Sequence, residues 1–473
     1  MAHAITRGLA LAFATAPLLI ACGGGKAGDP GAVNAPQCSG ASCGVQGPPA
    51  SGTSASLCPA TADIGNSTFL GGAGSGEVVQ LNINATAMTY TLKWLESPIP
   101  LRTGTVTPTR AGTQITGAVI HPPTGALPTA EQIRCAFILG AGTGTAAGDG
   151  QPYTTPDFVN NPNPPMILVG QGGVAGGGIP GATVEFDGLT IPLAGSGIGA
   201  VPNRHFDFYP FLGFATTTTD ITKLPGTYNG LLYHLAPSGN YATVATNTVE
   251  TFDASGTCTS SNAANPNYSP NAGGCLTTGN PLTLNSNGYF DSQQAPQIVP
   301  QFQLPLIGAT GKSGTAHMIL GQVNGVTVPL VVRTGFINLG TAPLHLDAKV
   351  DDESGIAMLA AATPLASGGF DGGYVGADSN FKYTATLIQG AVGTFINPST
   401  SAGEDHFGLG YGLPSPGLVG VQDTNGKTGF AIASGGLYAI VIQGAENGGI
   451  TSTSANADTP STPYFGIGAQ ISK

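Results

Sequence analysis

The chain has 473 residues, including 74 Gly and 37 Pro, and only 8% are charged, against roughly a quarter in an ordinary soluble domain. That balance argues against a coiled coil, and the 41% of hydrophobic residues argues against a charged, disordered chain. With 14 basic and 25 acidic residues the net charge is −11, which repels phosphate, so no nucleic-acid partner is expected and a β-rich, turn-dense globular protein remains.

At the N-terminus, Met1–Arg7 carries one basic residue, Gly8–Ile20 is apolar, and Ala21 is small. This is the layout of a secretory signal over residues 1–21; its apolar run is shorter than the roughly 20 residues that span a bilayer. The tetrapeptide Leu19-Ile20-Ala21-Cys22 resembles the lipobox of bacterial lipoproteins. The resemblance implies that Cys22 is diacylglycerated, that the chain is cut just before it, and that the new amino group is acylated. It also implies the outer membrane as destination, because Gly23 stands where inner-membrane lipoproteins carry Asp. Two or three acyl chains anchor stably where one would not.

The seven cysteines are 22, 38, 43, 58, 135, 258 and 275. Lipidation of Cys22 leaves six, enough for three disulfides in an oxidising periplasm. Proximity favours Cys38 with Cys43, Cys58 with Cys135 and Cys258 with Cys275, although the sequence leaves all connectivities open. No cysteine or histidine spacing suggests zinc, and no metal or cofactor is expected.

Residues 22–57 are Gly, Ala, Ser and Pro with almost no large apolar side chain, the composition of a flexible tether with an r.m.s. reach of roughly 30 Å. Beyond it, Val79, Leu81 and Ile83 alternate with polar residues, and Met88, Tyr90, Leu92 and Trp94 do so in the opposite phase, which predicts a β-hairpin. Turn dipeptides predict three more hairpins: Asp187-Gly188 within Val184–Leu193, Asn324-Gly325 within Ile319–Val332, and Asn425-Gly426 within Val419–Ile432. One helix is expected at Asp352–Ala362, with acidic residues at its start, and Thr129–Leu139 fits helix or strand. A seam at Ala215–Gly226 divides the chain into two β-rich units, 58–215 and 216–473, built of antiparallel sheets in sandwich or barrel-like form.

The densest aromatic stretch is Arg204–Phe211. As one strand it would place His205, Asp207 and Tyr209 on a common face, a possible ligand site. Carboxylates cluster at Asp347, Asp351, Asp352 and Glu353, at Asp371 with Asp378, and at Glu404 with Asp405, but none follows a calcium-loop spacing. The first cluster is better explained as the cap of the expected helix. No nucleophile elbow occurs, and the mature histidines (121, 205, 234, 317, 345 and 406) show no sequence link to a serine. The stretch Val326–Gly335 is similar to the hairpin that carries the catalytic Asp of aspartic proteases, with Arg333 in the acid's place, which implies an inactive site. Gly170–Gly178 lacks the lysine of a phosphate-binding loop and is expected to be a loop.

In layout the body resembles uncharacterised lipoproteins of Gram-negative bacteria, some classed as domains of unknown function. The expectation is therefore a non-enzymatic envelope lipoprotein, anchored by its N-terminal lipid, that binds an envelope protein or glycan or has a structural role. The rival expectation is a surface hydrolase of polysaccharide or peptide. It requires two carboxylates about 5–10 Å apart in one cleft, with Asp207, Glu185 or Asp371 as the residues to follow.

Overall fold

The computed structural model describes residues 58–472 apart from 128, 162–163, 191–196, 199–200, 261–273, 278–279, 293, 300–313, 340, 342–348, 380–382, 397–402 and 444–462. Cys22, Cys38, Cys43, His345 and Asp347 lie outside the described residues, as do the expected signal and tether.

After a short helix, α1 (Thr61–Asn66), come β1 (Thr68–Ala73), β2 (Glu77–Asn84), β3 (Thr89–Glu96) and β4 (Gln114–Ile120). Next are α2 (Ala130–Arg134), β5 (Ala136–Thr145), β6 (Pro152–Thr154), β7 (Ile167–Gly170) and β8 (Gly173–Pro180). The segment then runs through β9 (Thr183–Phe186), β10 (Leu189–Thr190), β11 (Gly197–Ile198), β12 (Val201–His205) and β13 (Phe208–Phe214). In the order β4-β3-β2-β1-β13-β8-β7-β5 these strands form an antiparallel sheet, and β5 pairs back onto β4 to close it into a barrel.

A second sheet is open. Its strands are β14 (Gly226–Ala236), β15 (Ala242–Phe252), β16 (Thr283–Leu284), β17 (Phe290–Asp291), β18 (Thr315–Val323) and β19 (Val326–Thr334). After the small pair β20 (Phe336–Asn338) and β21 (Lys349–Asp351), β22 (Ser354–Ala361) inserts between β14 and β19, giving the order β15-β14-β22-β19-β18-β17-β16. The last part runs β23 (Gly372–Asp378), β24 (Tyr383–Gln389), β25 (Val392–Ile396) and β26 (Gly403–Gly410). It ends with β27 (Val419–Asp423), β28 (Thr428–Ser434), β29 (Leu437–Ile442) and β30 (Tyr464–Ser472), a meander closed into a second barrel by β30 on β23. The molecule is thus mainly β, with two eight-stranded antiparallel barrels.

The alternating patterns set the hairpin registers. Val79 lies opposite Trp94, Leu81 opposite Leu92 and Ile83 opposite Tyr90, all six buried. Asn84 turns the corner by accepting the Thr86 and Ala87 N–H groups on its side-chain oxygen. At the β18–β19 turn Asn324 and Gly325 take φ of 49° and 81°, the left-handed pair a two-residue hairpin needs. The β27–β28 turn is held by Asp423, whose carboxylate accepts from the Asn425 and Lys427 N–H groups.

Three expectations are corrected. Gly170–Gly178 is not a loop: only Gln171 and Gly172 turn, and Gly173–Gly178 belongs to the buried strand β8. Asp187-Gly188 does not close a hairpin: β9 pairs with β12, and Leu189–Thr190 pairs with Gly197–Ile198. The segment expected as the helix Asp352–Ala362 is the strand β22, buried along nearly its whole length between two neighbours. Its Ala, Met and Leu residues favour a helix intrinsically, but a strand slot in the middle of a sheet outweighs a propensity worth a few tenths of a kcal/mol per residue, roughly. In Thr129–Leu139 both forms occur, α2 with a Thr129–Gln132 capping box and then β5.

The largest apolar core is continuous from the first barrel through one face of the open sheet (Leu231, Leu330, Val332, Ile356) to the outer face of the second barrel (Val375, Phe430, Ala439, Ile467). The opposite face of the open sheet and the interior of the second barrel have cores of their own. At the seam between first barrel and sheet, Gly72 stands so close to Val332 that a Cβ would lie 2.4 Å from its methyl. Disulfides join Cys58 to Cys135 beside α2, and Cys258 to Cys275 beside β15.

Candidate functional site

A cavity of about 400 Å³ lies where the end of the first barrel meets the open sheet. Its walls come from the chain between β3 and β4, from β9 and β12, and from the ends of β14, β18 and β19. They are largely apolar: Ile99, Val106, Phe186, Val201, Phe206 and Leu235 all face it. Volume and character fit a small-molecule site, for which pockets of roughly 300–1,000 Å³ are usual.

Behind one wall is a buried ion pair. Arg110 reaches Glu77 through Nε at 2.6 Å and Nη2 at 2.5 Å, and neither residue has accessible surface. The guanidinium also lies 4.4 Å from the Trp94 ring and donates to the Pro180 carbonyl at 2.9 Å. Burial opposes the charge on Arg110, and Glu77 more than offsets it, so its pKa is raised. Ser75 and Ser97, both of which line the cavity, donate to Glu77 at 2.7 and 2.5 Å. Stranding one member of such a pair costs about 3–5 kcal/mol, so these charges brace the wall and do not serve as ligand groups.

Among the described residues, three carboxylates line the cavity: Glu96, Glu185 and Asp352. Glu96 accepts from the Tyr289 hydroxyl at 2.8 Å, and Glu185 accepts from the Asn203 amide at 3.3 Å. Asp352 accepts from the backbone and hydroxyl of Ser238 at 2.5 and 2.7 Å. Burial pushes the Asp352 carboxyl up to about 6, against the opposing pull of those hydrogen bonds. His317 also lines the cavity; its Nδ1 is 2.7 Å from Asp291, and its ring stands edge-on to Tyr289. No lysine or arginine lines the cavity among the described residues.

The structure separates the trio His205, Asp207 and Tyr209. A break between β12 and β13 ends the alternation, so Phe206, Phe208 and Tyr209 are all buried while His205 and Asp207 are exposed. His205 Nε2 pairs with Asp207 at 3.3 Å on the surface, and Tyr209 points inward, 5.7 Å from the Arg110 guanidinium. The acidic run is no helix cap: its members face three different partners. Asp351 takes both its oxygens to Arg333 Nη2, at 2.9 and 2.8 Å. Glu353 accepts from the Ile298 and Val299 N–H groups and stands 2.8 Å from His234 Nδ1. Arg333 also donates to the Glu353 and Pro296 carbonyls, so it is a structural cation deep in the open sheet.

Asp371 and Asp378 bracket β23 and so stand roughly 20 Å apart. Asp405 accepts from the Thr424 hydroxyl and the His406 N–H. The remaining described histidines, 121 and 406, face the Ala136 carbonyl and the Thr394 hydroxyl. No cluster of three or more His, Cys, Asp or Glu that could hold a metal occurs among the described residues.

Residues 89–469 match a family model described as a protein of unknown function (DUF2957). No curated protein matches the chain. Among solved structures, the chain is similar to a double mutant of the vaccine antigen transferrin binding protein B from Haemophilus parasuis, at 9% identity and a TM-score of 0.18. That alignment covers 84% of this chain and 66% of the other, so the chain spans just under two thirds of that protein's length.

Proposed function

Because the chain belongs to the DUF2957 family, whose function is unknown, its role has to be argued from its own site, and we propose that it is a non-catalytic binding module of the cell envelope. The observation that carries this is the apolar cavity, whose carboxylates Glu96, Glu185 and Asp352 and whose His317 are already hydrogen-bonded to protein groups. A catalytic acid–base pair needs groups aimed at a shared reacting atom, whereas each of these is committed to a different protein partner. The module is anchored to the outer membrane through acylated Cys22, and the chain ahead of Cys58 serves as its tether. The lipobox tetrapeptide and the Gly-rich composition of residues 23–57 support that anchoring.

The rival, a surface hydrolase, is favoured by one observation: Asp352 is a cavity carboxyl with a raised pKa, as a general acid requires. Against it, both Asp352 oxygens are held by Ser238, and burial, with a smaller push from the Asp351 charge, accounts for the shift.

Two measurements test the proposal. Mass spectrometry of the mature N-terminal peptide is expected to find acylated Cys22 and no residues 1–21; an unmodified Cys22 defeats the anchoring. Titration of the purified chain with apolar small molecules is expected to show saturable binding that Val106→Trp, on the cavity wall, abolishes. Turnover of glycosides or peptides that is lost in Asp352→Asn would replace binding by hydrolysis.

A further inference from the structure

The cavity's polar chemistry is one-sided. Glu96, Glu185 and Asp352 come from β3, β9 and the turn before β22, segments remote in sequence, and all three reach the same space. The buried cations beside it are engaged behind the wall, Arg110 by Glu77 and Arg204 over the Phe206 and Tyr241 rings at 5.1 and 5.0 Å. His317 reaches the cavity already paired to an acid, Asp291. Phe186 and Phe336 add aromatic rings to the lining, a side-chain type whose face attracts cations. Apolar walls of about 400 Å³ with acidic groups at several points therefore match a small body that is greasy along its length and positive at one end.

We infer that the cavity selects an amphipathic organic cation, an apolar chain or ring carrying an amine, over neutral and anionic ligands of the same shape. This rests on the binding role proposed above. Carboxylates provide the selectivity, because a cation near them gains Coulombic energy in a site of reduced dielectric while an anion loses it. The apolar walls provide affinity for all three charge types alike.

The test uses the soluble chain from Gly23 onward, without the acylated Cys22, which contains every described element, and three probes of one shape: n-octylamine, n-octanol and n-octanoate, titrated calorimetrically at pH 7.5. Octylamine is expected to bind at least about tenfold more tightly than octanoate, with octanol between them. Glu96→Gln and Glu185→Gln keep their hydrogen-bond acceptors and lose the charge. Each is expected to weaken octylamine by about threefold to tenfold and to leave octanol unchanged. Equal binding of the three probes, or a preference for octylamine that survives the double substitution, overturns the selectivity while leaving a binding cavity. Absence of binding by all three, or binding that Val106→Trp does not affect, overturns the cavity's binding role with it.

Discussion

Glu250 sits in β15 with no accessible surface, its Oε2 accepting the Leu276 N–H at 3.1 Å and its Oε1 without a hydrogen-bond partner among the described residues. Burial pushes its carboxyl from the ordinary 4.5 up to about 8. The folded state therefore holds a proton that the unfolded chain releases, and the sign follows. Glu250's contribution to stability is complete below pH 4.5 and is lost as pH rises through about 8. Glu250→Gln keeps the acceptor for Leu276 and has no proton to lose. Urea unfolding at pH 5, 7 and 9 is expected to show wild-type stability falling relative to the variant across that window. A constant difference between the two would mean that Glu250 is charged in the fold. Asp352 shifts the same way but only to about 6, so the drop above pH 7 belongs to Glu250.

At the scale of elements, the first barrel meets the open sheet through positions without side chains. Gly72 has no room for a Cβ beside Val332, and Gly76 takes φ of 80° with the Arg333 carbonyl 2.3 Å from where a Cβ would sit. Gly72→Ala is expected to cost about 1–3 kcal/mol by forcing β1 off β19; the double variant with Val332→Ala, which removes the offending methyl, should recover part of it. An unchanged melting temperature for Gly72→Ala would show that the seam yields. What the sequence reveals of such elements depends on range. Alternation and turn dipeptides identify the hairpins β2–β3, β18–β19 and β27–β28, because both partners and their turn lie within about twenty residues. The strand β22 is misread because its partners β14 and β19 are distant in the chain and its own residues favour a helix. The same limit hides the site. Glu96, His317 and Asp352 meet only after the barrel closes onto the sheet, and no local spacing announces them. His205, Asp207 and Tyr209 share one face only along an unbroken strand, and the bend between β12 and β13 turns Tyr209 inward.

For the molecule as a whole, one apolar core extends from Phe69 in the first barrel through Val332 in the open sheet to Ile467 in the second barrel. Shared burial of this kind couples the three sheets, and calorimetry is expected to show a single transition with equal calorimetric and van't Hoff enthalpies. Two resolved transitions would show that the barrels melt independently. The disulfide at Cys58 has a mechanical consequence. Cys58 is bonded to Cys135, and Arg134 next to it holds the Pro59 carbonyl at 2.7 Å and the Thr61 hydroxyl at 3.1 Å. A pull on the chain ahead of Cys58 is therefore delivered through sulfur to the base of β5, deep in the barrel wall. It does not peel β1 away one hydrogen bond at a time, so the protein can be dragged by its leading end without unravelling from it.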